Sequence, residues 1–66
     1  MEFKAILKEL RLEKGLSQQK LVEQTGLSLS SIRKWEAGTR EPTGNSLIIL
    51  SKFFDVSAGY LLGLED

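Results

Sequence analysis

Several side chains that can donate hydrogen bonds lie on one side of the segment 28–37 if that segment is helical. With Ile32 taken as the centre of the buried side, a rotation of about 100° per residue places Ser30 and Lys34 opposite it and Arg33 at the margin. A helix fits the DNA major groove, where an outward lysine or arginine can donate to O6 and N7 of guanine and a serine can bond to several bases. The alternative is a solvated polar face, which a small helical bundle also has. The residue types at this spacing leave both interpretations open.

A second amphipathic pattern precedes this segment and meets it at a glycine turn. Ser17 is a typical N-cap residue and predicts a helix over about 18–25. Gly26 can adopt positive φ where that helix must end, and Ser28 can cap the next helix over about 29–37. Two helices joined by such a short turn form a helix-turn-helix, which carries its second helix into the major groove in some proteins and never touches DNA in others.

The whole chain, residues 1–66, reads as one small domain without β-type alternation or internal repeats. Its hydrophobic share of 41% is enough for a core and too high for a disordered tail. Five helices are predicted, at about 2–14, 18–25, 29–37, 44–54 and 58–62, and Thr43 and Ser57 are expected to cap the last two. The expected fold class is therefore all-α, a compact five-helix bundle.

The composition excludes several kinds of chemistry. The sequence has no cysteine and no histidine, which excludes disulfides, structural zinc and most nucleophile–base pairs. It contains no catalytic triad, phosphate-binding loop or metal-ligand motif, so we expect no enzyme activity, no metal and no cofactor. Neither a signal-peptide pattern nor an apolar run of about 20 residues is present, so we expect a cytoplasmic protein without a membrane partner.

The formal net charge is zero, from nine basic and nine acidic residues, which counts against a nucleic-acid partner. The distribution of charge along the chain weakens that objection. Residues 28–40 carry three bases and one acid, whereas residues 55–66, which include Asp66, carry three acids and no base. A neutral total can therefore hide a positive surface around the second helix of the motif.

Two charged residues fall at or near the inward sides of their predicted helices. Arg11 lies four residues after Leu7, and Glu36 lies four residues after Ile32. Because an ionised side chain buried alone costs several kcal/mol, we expect Arg11 and Glu36 to form a structural ion pair. Trp35, which flanks Ile32, is expected in the core or at its edge rather than stacked on a base.

Short strings along nearly the whole chain resemble one known family. They are LKELR at 7–11, LSQ at 16–18, GLS at 26–28, IRKWE at 32–36, Gly38, REP at 40–42, and VS and YLLG within 56–63. These strings resemble the Cro and phage-repressor type of DNA-binding domain, the XRE-like helix-turn-helix family. The resemblance implies a lambda-repressor-like bundle with its motif over about 17–37 and its recognition helix over about 28–37. It also implies a sequence-specific transcriptional regulator that binds operator DNA as a dimer.

The resemblance, together with the positions of the helix starts, indicates which residues contact DNA. Base contacts are expected from the recognition helix, at Leu29, Ser30, Arg33 and Lys34. Phosphate contacts are expected near helix starts, where backbone amides and the helix dipole favour an anion, and just after the motif, at Gln18, Lys20, Ser28, Ser31, Thr39, Arg40 and Asn45. Leu29 replaces a glutamine that is common in the family, so it can only touch a thymine methyl or pack inward. For Arg40 a surface salt bridge with Glu41 is the alternative.

Surplus apolar residues on the last two helices suggest a further contact surface. One stripe of the helix at about 44–54 cannot take up all of its apolar side chains. Possible contacts across a two-fold dimer interface are Ile49, Phe53, Leu61 and Leu64, with ordinary core as the alternative. The leading interpretation is a regulator that binds double-stranded DNA as a homodimer. The alternative is a protein-interaction module of the same fold, antitoxin-like or part of a complex, that uses helices four and five.

Overall fold

The computed structural model describes residues 1–65, so Asp66 lies outside the described residues. Within residues 1–65 the chain forms five helices and no strand, which confirms the predicted all-α class. The helices are α1 (Phe3–Glu13), α2 (Gln18–Thr25), α3 (Leu29–Ala37), α4 (Gly44–Phe54) and α5 (Ala58–Leu61). The motif is formed by α2 and α3.

Hydroxyl side chains begin four of the helices at the predicted positions. Ser17 and Ser28 each accept a hydrogen bond from the backbone N–H three residues later, at 3.0 and 3.1 Å. Thr43 and Ser57 do the same for α4 and α5, at 3.2 and 3.0 Å. Gly26 ends α2 with a φ of 77°, a conformation that glycine adopts without a side-chain clash. The polar residues and the glycine of the motif therefore fix both ends of its turn.

The bounds of α1 and α5 differ slightly from the prediction. Glu2 is the N-cap of α1, with extended backbone angles, and Lys14 is its C-cap, so α1 is shorter than the expected 2–14 by one residue at each end. The last helix ends at Leu61 because Leu62 is its C-cap. With four residues, α5 is a single turn and has room for one fully inward side chain.

One core joins all five helices. It consists of Ile6, Leu7, Leu21, Ile32, Trp35, Leu50, Phe54 and Leu61. The α3 helix packs against both α1 and α2. Ile32 is fully buried, and the ring of Trp35 is buried edge to face against Phe3, with 6.1 Å between the ring centroids. This burial confirms the predicted core role of Trp35.

The predicted ion pair joins α1 to α3. The Nε of Arg11 donates to Oε2 of Glu36 at 2.8 Å, and its Nη2 donates to Oε1 at 2.9 Å. The two side chains are only 9% and 6% exposed. The remaining Nη1 donates to the backbone carbonyl of Leu16 at 2.7 Å, in the connection between α1 and α2. A single guanidinium therefore fastens three parts of the chain.

The guanidinium of Arg11 keeps its charge over the whole neutral range. The hydrogen bond with Glu36, aided by its negative charge, raises the pKa of Arg11 above its ordinary value despite the opposing effect of burial. When folding raises the pKa of a base, the base stabilises the folded state fully at any pH below its ordinary pKa. This stabilisation is lost only as the pH rises through the raised pKa of the folded state. Titration of Arg11 itself should thus change the stability of the fold only at strongly alkaline pH.

Replacing Arg11→Ala should lower the free energy of unfolding by about 3–5 kcal/mol, because the Glu36 carboxylate stays buried without its partner. In a domain of this size the melting temperature followed by circular dichroism should fall by more than about 10 °C. Lys8→Ala, an exposed position on the same helix, is the matched control and should melt almost like the unsubstituted protein. An unchanged melting temperature for Arg11→Ala would show that the pair does not hold the fold.

Candidate nucleic-acid interface

The outward side of α3 presents Ser30, Arg33 and Lys34 to solvent. All three are exposed, and their side chains form no hydrogen bond or salt bridge with other residues among 1–65. Ile32, on the opposite side of the helix, is fully buried. The predicted orientation of α3 is thereby confirmed, and its free donors have the chemistry that base edges require.

Leu29 opens α3 beside these polar residues. Its side chain is half-buried, and it is not among the residues packed against the core. An aliphatic side chain at the first helical position, next to exposed Ser28 and Ser30, can meet the methyl group of a thymine. Leu29 therefore packs inward only in part, and the rest of its side chain stays available for the methyl group of a thymine.

Three of the predicted phosphate contacts meet at the start of α3. The Oγ of Ser28 accepts from the backbone N–H of Ser31 and also donates to Oγ of Ser31 at 2.8 Å. The Nη1 of Arg40 donates to the same Oγ at 3.3 Å, so the loop after α3 reaches back to the first turn of that helix. Arg40 forms no salt bridge with Glu41 in the described part of the chain, which removes the surface pair considered for it. Hydroxyls, a guanidinium and a helix N-terminus together suit a phosphate.

Gln18 lies at the first position of α2 and belongs to the buried network. Its Nε2 donates to Oε1 of Glu36 at 3.2 Å, the oxygen that also accepts from Arg11. A side-chain amide has two N–H donors, so one remains for a phosphate outside. Gln18 is thus oriented by the same carboxylate that fastens α1 to α3.

The other predicted phosphate contacts are more dispersed. Lys20 pairs with Glu23 on the exposed side of α2 at 3.4 Å, an interaction that water and salt easily replace. The hydroxyl of Thr39 donates to the backbone carbonyl of Lys34 at 3.3 Å, so it closes the end of α3. Asn45 is exposed in the first turn of α4. None of these three contacts the cluster at the start of α3.

The exposed charge of residues 28–40 is entirely positive. Arg33, Lys34 and Arg40 are exposed, whereas Glu36, the only acid in this range, is covered and neutralised by Arg11. Since a paired and buried carboxylate contributes little to the potential outside, the surface around α3 attracts anions although the net charge of the chain is zero.

One of the four predicted dimer contacts is wrong. Leu61 is fully buried, because the single turn of α5 uses it to close the core. Ile49 and Phe53 are half-buried, and Phe53 packs against Phe54 with 4.9 Å between ring centroids. Leu64 is 77% exposed and stays available for a partner.

Ile48 is 54% exposed but was not among the predicted contacts. Its exposure could have been predicted from the helical period, since Ile48 lies about 160° from the buried Leu50 around α4.

No helix of the described residues is both long and apolar enough to cross a membrane. Residues 1–65 likewise contain no group of acidic side chains arranged to hold a metal ion.

Comparison with known proteins points to one family. A family of helix-turn-helix domains matches residues 7–61. The chain is 44% identical over 66 residues to the HTH-type transcriptional activator BcrR of Enterococcus faecalis, a match that covers all of this chain and 32% of that activator. Two proteins of Bacillus subtilis (strain 168) match over 60 residues, or 91% of this chain. They are the uncharacterized HTH-type transcriptional regulator YobD, 38% identical with 54% covered, and the HTH-type transcriptional regulator ImmR, 32% identical with 47% covered. The chain thus spans between a third and about half of the relatives' lengths.

Replacing Ser28→Ala should lower the free energy of unfolding by about 0.5–2 kcal/mol, because the first turn of α3 loses its cap. Denaturation by urea would measure this loss as a lower midpoint with an unchanged slope. Ser30→Ala is the matched control two residues away, where the hydroxyl has no partner within residues 1–65. Equal midpoints for the two variants would contradict a capping role for Ser28.

Proposed function

This chain belongs to the XRE/Cro-type helix-turn-helix family, and on that premise we propose that it binds double-stranded DNA and regulates transcription. In this proposal α3 enters the major groove, with Lys34 and Ser30 as principal base contacts and Arg33 and Leu29 beside them. The observation that carries the proposal is the free, exposed set of donors on a helix whose other side is anchored in the core. A regulator of this kind acts in the cytoplasm, where its DNA is.

Phosphate contacts would fix the register of α3 in the groove. The cluster of Ser28, Ser31 and Arg40 flanks one end of α3, and Gln18 at the start of α2 offers a second donor from a neighbouring helix. Lys20, Thr39 and Asn45 would add weaker backbone contacts around them. Contacts from different elements define an orientation, while the bases touched by α3 define the sequence.

A protein-interaction module of the same fold is the second candidate. It is favoured by the zero net charge and by the exposure of Ile48 on α4 and Leu64 after α5. Titration of labelled random duplex DNA across a salt series separates the two candidates. A regulator should bind at low salt and lose affinity steeply as salt rises, whereas absence of binding even at low salt would favour the interaction module.

Replacing Lys34→Ala should weaken binding to a preferred DNA site by about 1–3 kcal/mol and leave the melting temperature unchanged, because the Lys34 side chain is exposed and has no partner within residues 1–65. The preferred site is first selected from a random DNA pool. Lys8→Ala removes the same charge from α1 and is the matched control. An equal loss on selected and random DNA would assign Lys34 to a phosphate instead of a base.

We further propose that the regulator acts as a homodimer that reads two half-sites roughly 34 Å apart. Leu64 is the most exposed large apolar side chain of the described residues, and Ile49 and Phe53 would contribute their exposed parts. Association of two copies would cover these side chains without disturbing the core.

Replacing Leu64→Glu should shift sedimentation equilibrium towards monomer, because a carboxylate would be forced into the apolar contact. Leu12→Glu, an exposed leucine on α1, is the matched control and should associate like the unsubstituted protein. A protein that stays monomeric at all concentrations and on DNA would contradict the homodimer.

A further inference from the structure

The length of the side chains changes along the outward side of α3. The start of the helix offers only short side chains, those of Ser28, Leu29 and Ser30, whereas the next turn offers two long cations, Arg33 and Lys34. A short side chain contacts a base edge only where its backbone lies deep in the groove, while a long one spans a wider gap. The order of lengths therefore indicates that α3 enters the major groove with its first turn closest to the bases.

Hydrogen bonds at this end of α3 leave one aliphatic side chain and one hydroxyl for the bases. The hydroxyls of Ser28 and Ser31 bond to each other, and Arg40 donates to the second of them, so both are engaged within the protein. Ser30 is exposed, and Leu29 is half-buried without belonging to the residues packed against the core. Thymine is the one base that presents a methyl group in the major groove, so an aliphatic side chain at this depth selects thymine.

Arg33 lies one helical turn after Leu29 on the same side of α3. Four residues correspond to a rotation of about 40° beyond a full turn and to a rise of about 6 Å. Arg33 is exposed, and its guanidinium has no partner within residues 1–65. Arginine donates from two N–H groups to O6 and N7 of guanine, the only base with two adjacent acceptors on that edge. Leu29 and Arg33 therefore form one row that combines a methyl contact with a guanine contact.

We propose that Leu29 and Arg33 together select a thymine and a guanine that lie one or two base-pair steps apart in the bound DNA. Base pairs are stacked about 3.4 Å apart, so the rise of about 6 Å between the two residues spans between one and two steps. This inference rests on the proposed function and deepens it, because it names part of the sequence that α3 recognises. Ser30 and Lys34 lie on the neighbouring row and contact other positions of the site.

Selection of bound duplexes from a random DNA pool tests the spacing. The selected sites should share a thymine and a guanine at this separation, on the same strand or on opposite strands. A shared sequence without such a pair would overturn the inference and leave DNA-binding regulation standing. Absence of DNA binding even at low salt would overturn the proposed function, and the inference with it.

Deoxyuridine in place of the selected thymine removes only the methyl group and keeps every hydrogen-bonding group of the base pair. This exchange should weaken binding of the unsubstituted protein by about fourfold, as expected for the burial of one methyl group. The same exchange at a thymine outside the selected positions is the matched control and should leave the affinity unchanged. Equal affinity for the thymine and deoxyuridine sites would overturn the methyl contact.

The variant Leu29→Ala assigns the methyl group to its side chain. Because Leu29 lies outside the core, the variant should keep the circular dichroism spectrum of the unsubstituted protein. It should bind the thymine and deoxyuridine sites with affinities that differ by less than about twofold. Leu12→Ala, at an exposed leucine of α1, is the matched control and should keep the fourfold difference. A fourfold difference that persists in Leu29→Ala would overturn the role of Leu29.

Arg33 is tested in the same way on the selected guanine. Replacing this base by 7-deazaguanine removes the N7 acceptor and keeps the base pair, so the unsubstituted protein should bind about tenfold more weakly. Arg33→Ala should bind the two duplexes about equally, whereas the matched control Lys34→Ala should keep the tenfold difference. A difference that disappears in Lys34→Ala and persists in Arg33→Ala would overturn the pairing of Arg33 with Leu29.

Discussion

The buried pair of Arg11 and Glu36 is the constraint on which the rest of the structure depends. It fixes the rotation of α3 about its own axis, because a carboxylate that must meet a guanidinium from α1 cannot turn away from the core. The same guanidinium holds the carbonyl of Leu16 before α2, and the same carboxylate holds the amide of Gln18. Both helices of the motif are thereby set against α1. The ion pair explains the orientation of α3 better than it explains the stability of the domain, because an apolar pair of similar volume can stabilise a core equally well.

The pair also reconciles a neutral chain with an anionic partner. Glu36 is the only acid between residues 28 and 40, and its charge is covered by Arg11. The exposed charges that remain within residues 28–40 are those of Arg33, Lys34 and Arg40. Because these bases are confined to the surroundings of α3 in a chain of zero net charge, attraction to a phosphate backbone is local, and non-specific binding should be weaker than in a strongly basic domain.

Most of the fold could be predicted because its signals are local. Hydroxyl caps and a turn glycine mark helix ends within a few residues, and the inward positions of Arg11 and Glu36 predict their pairing. The error at Leu61 has a physical reason: a helix of one turn has no repeated stripe from which an inward side can be read. In α4 the helical period places Ile48 nearly opposite the buried Leu50, so the exposure of Ile48 could have been predicted from the sequence. The start of α1, the loop after α3 and Leu62 line one cleft although they are distant along the chain, and no local pattern predicts such a meeting.

The central claim is that α3 meets DNA with the side opposite Ile32, while its core side, the exposed Ile48 on α4 and the whole of α5 stay out of contact with DNA. The most direct measurement follows the backbone amide resonances of isotopically labelled protein by NMR as a selected DNA duplex is added. The account predicts the largest shifts within residues 28–34, at Thr39 and Arg40, and at Gln18, with small shifts around Ile48. Shifts concentrated on α4 and α5, with residues 28–34 unchanged, would contradict it.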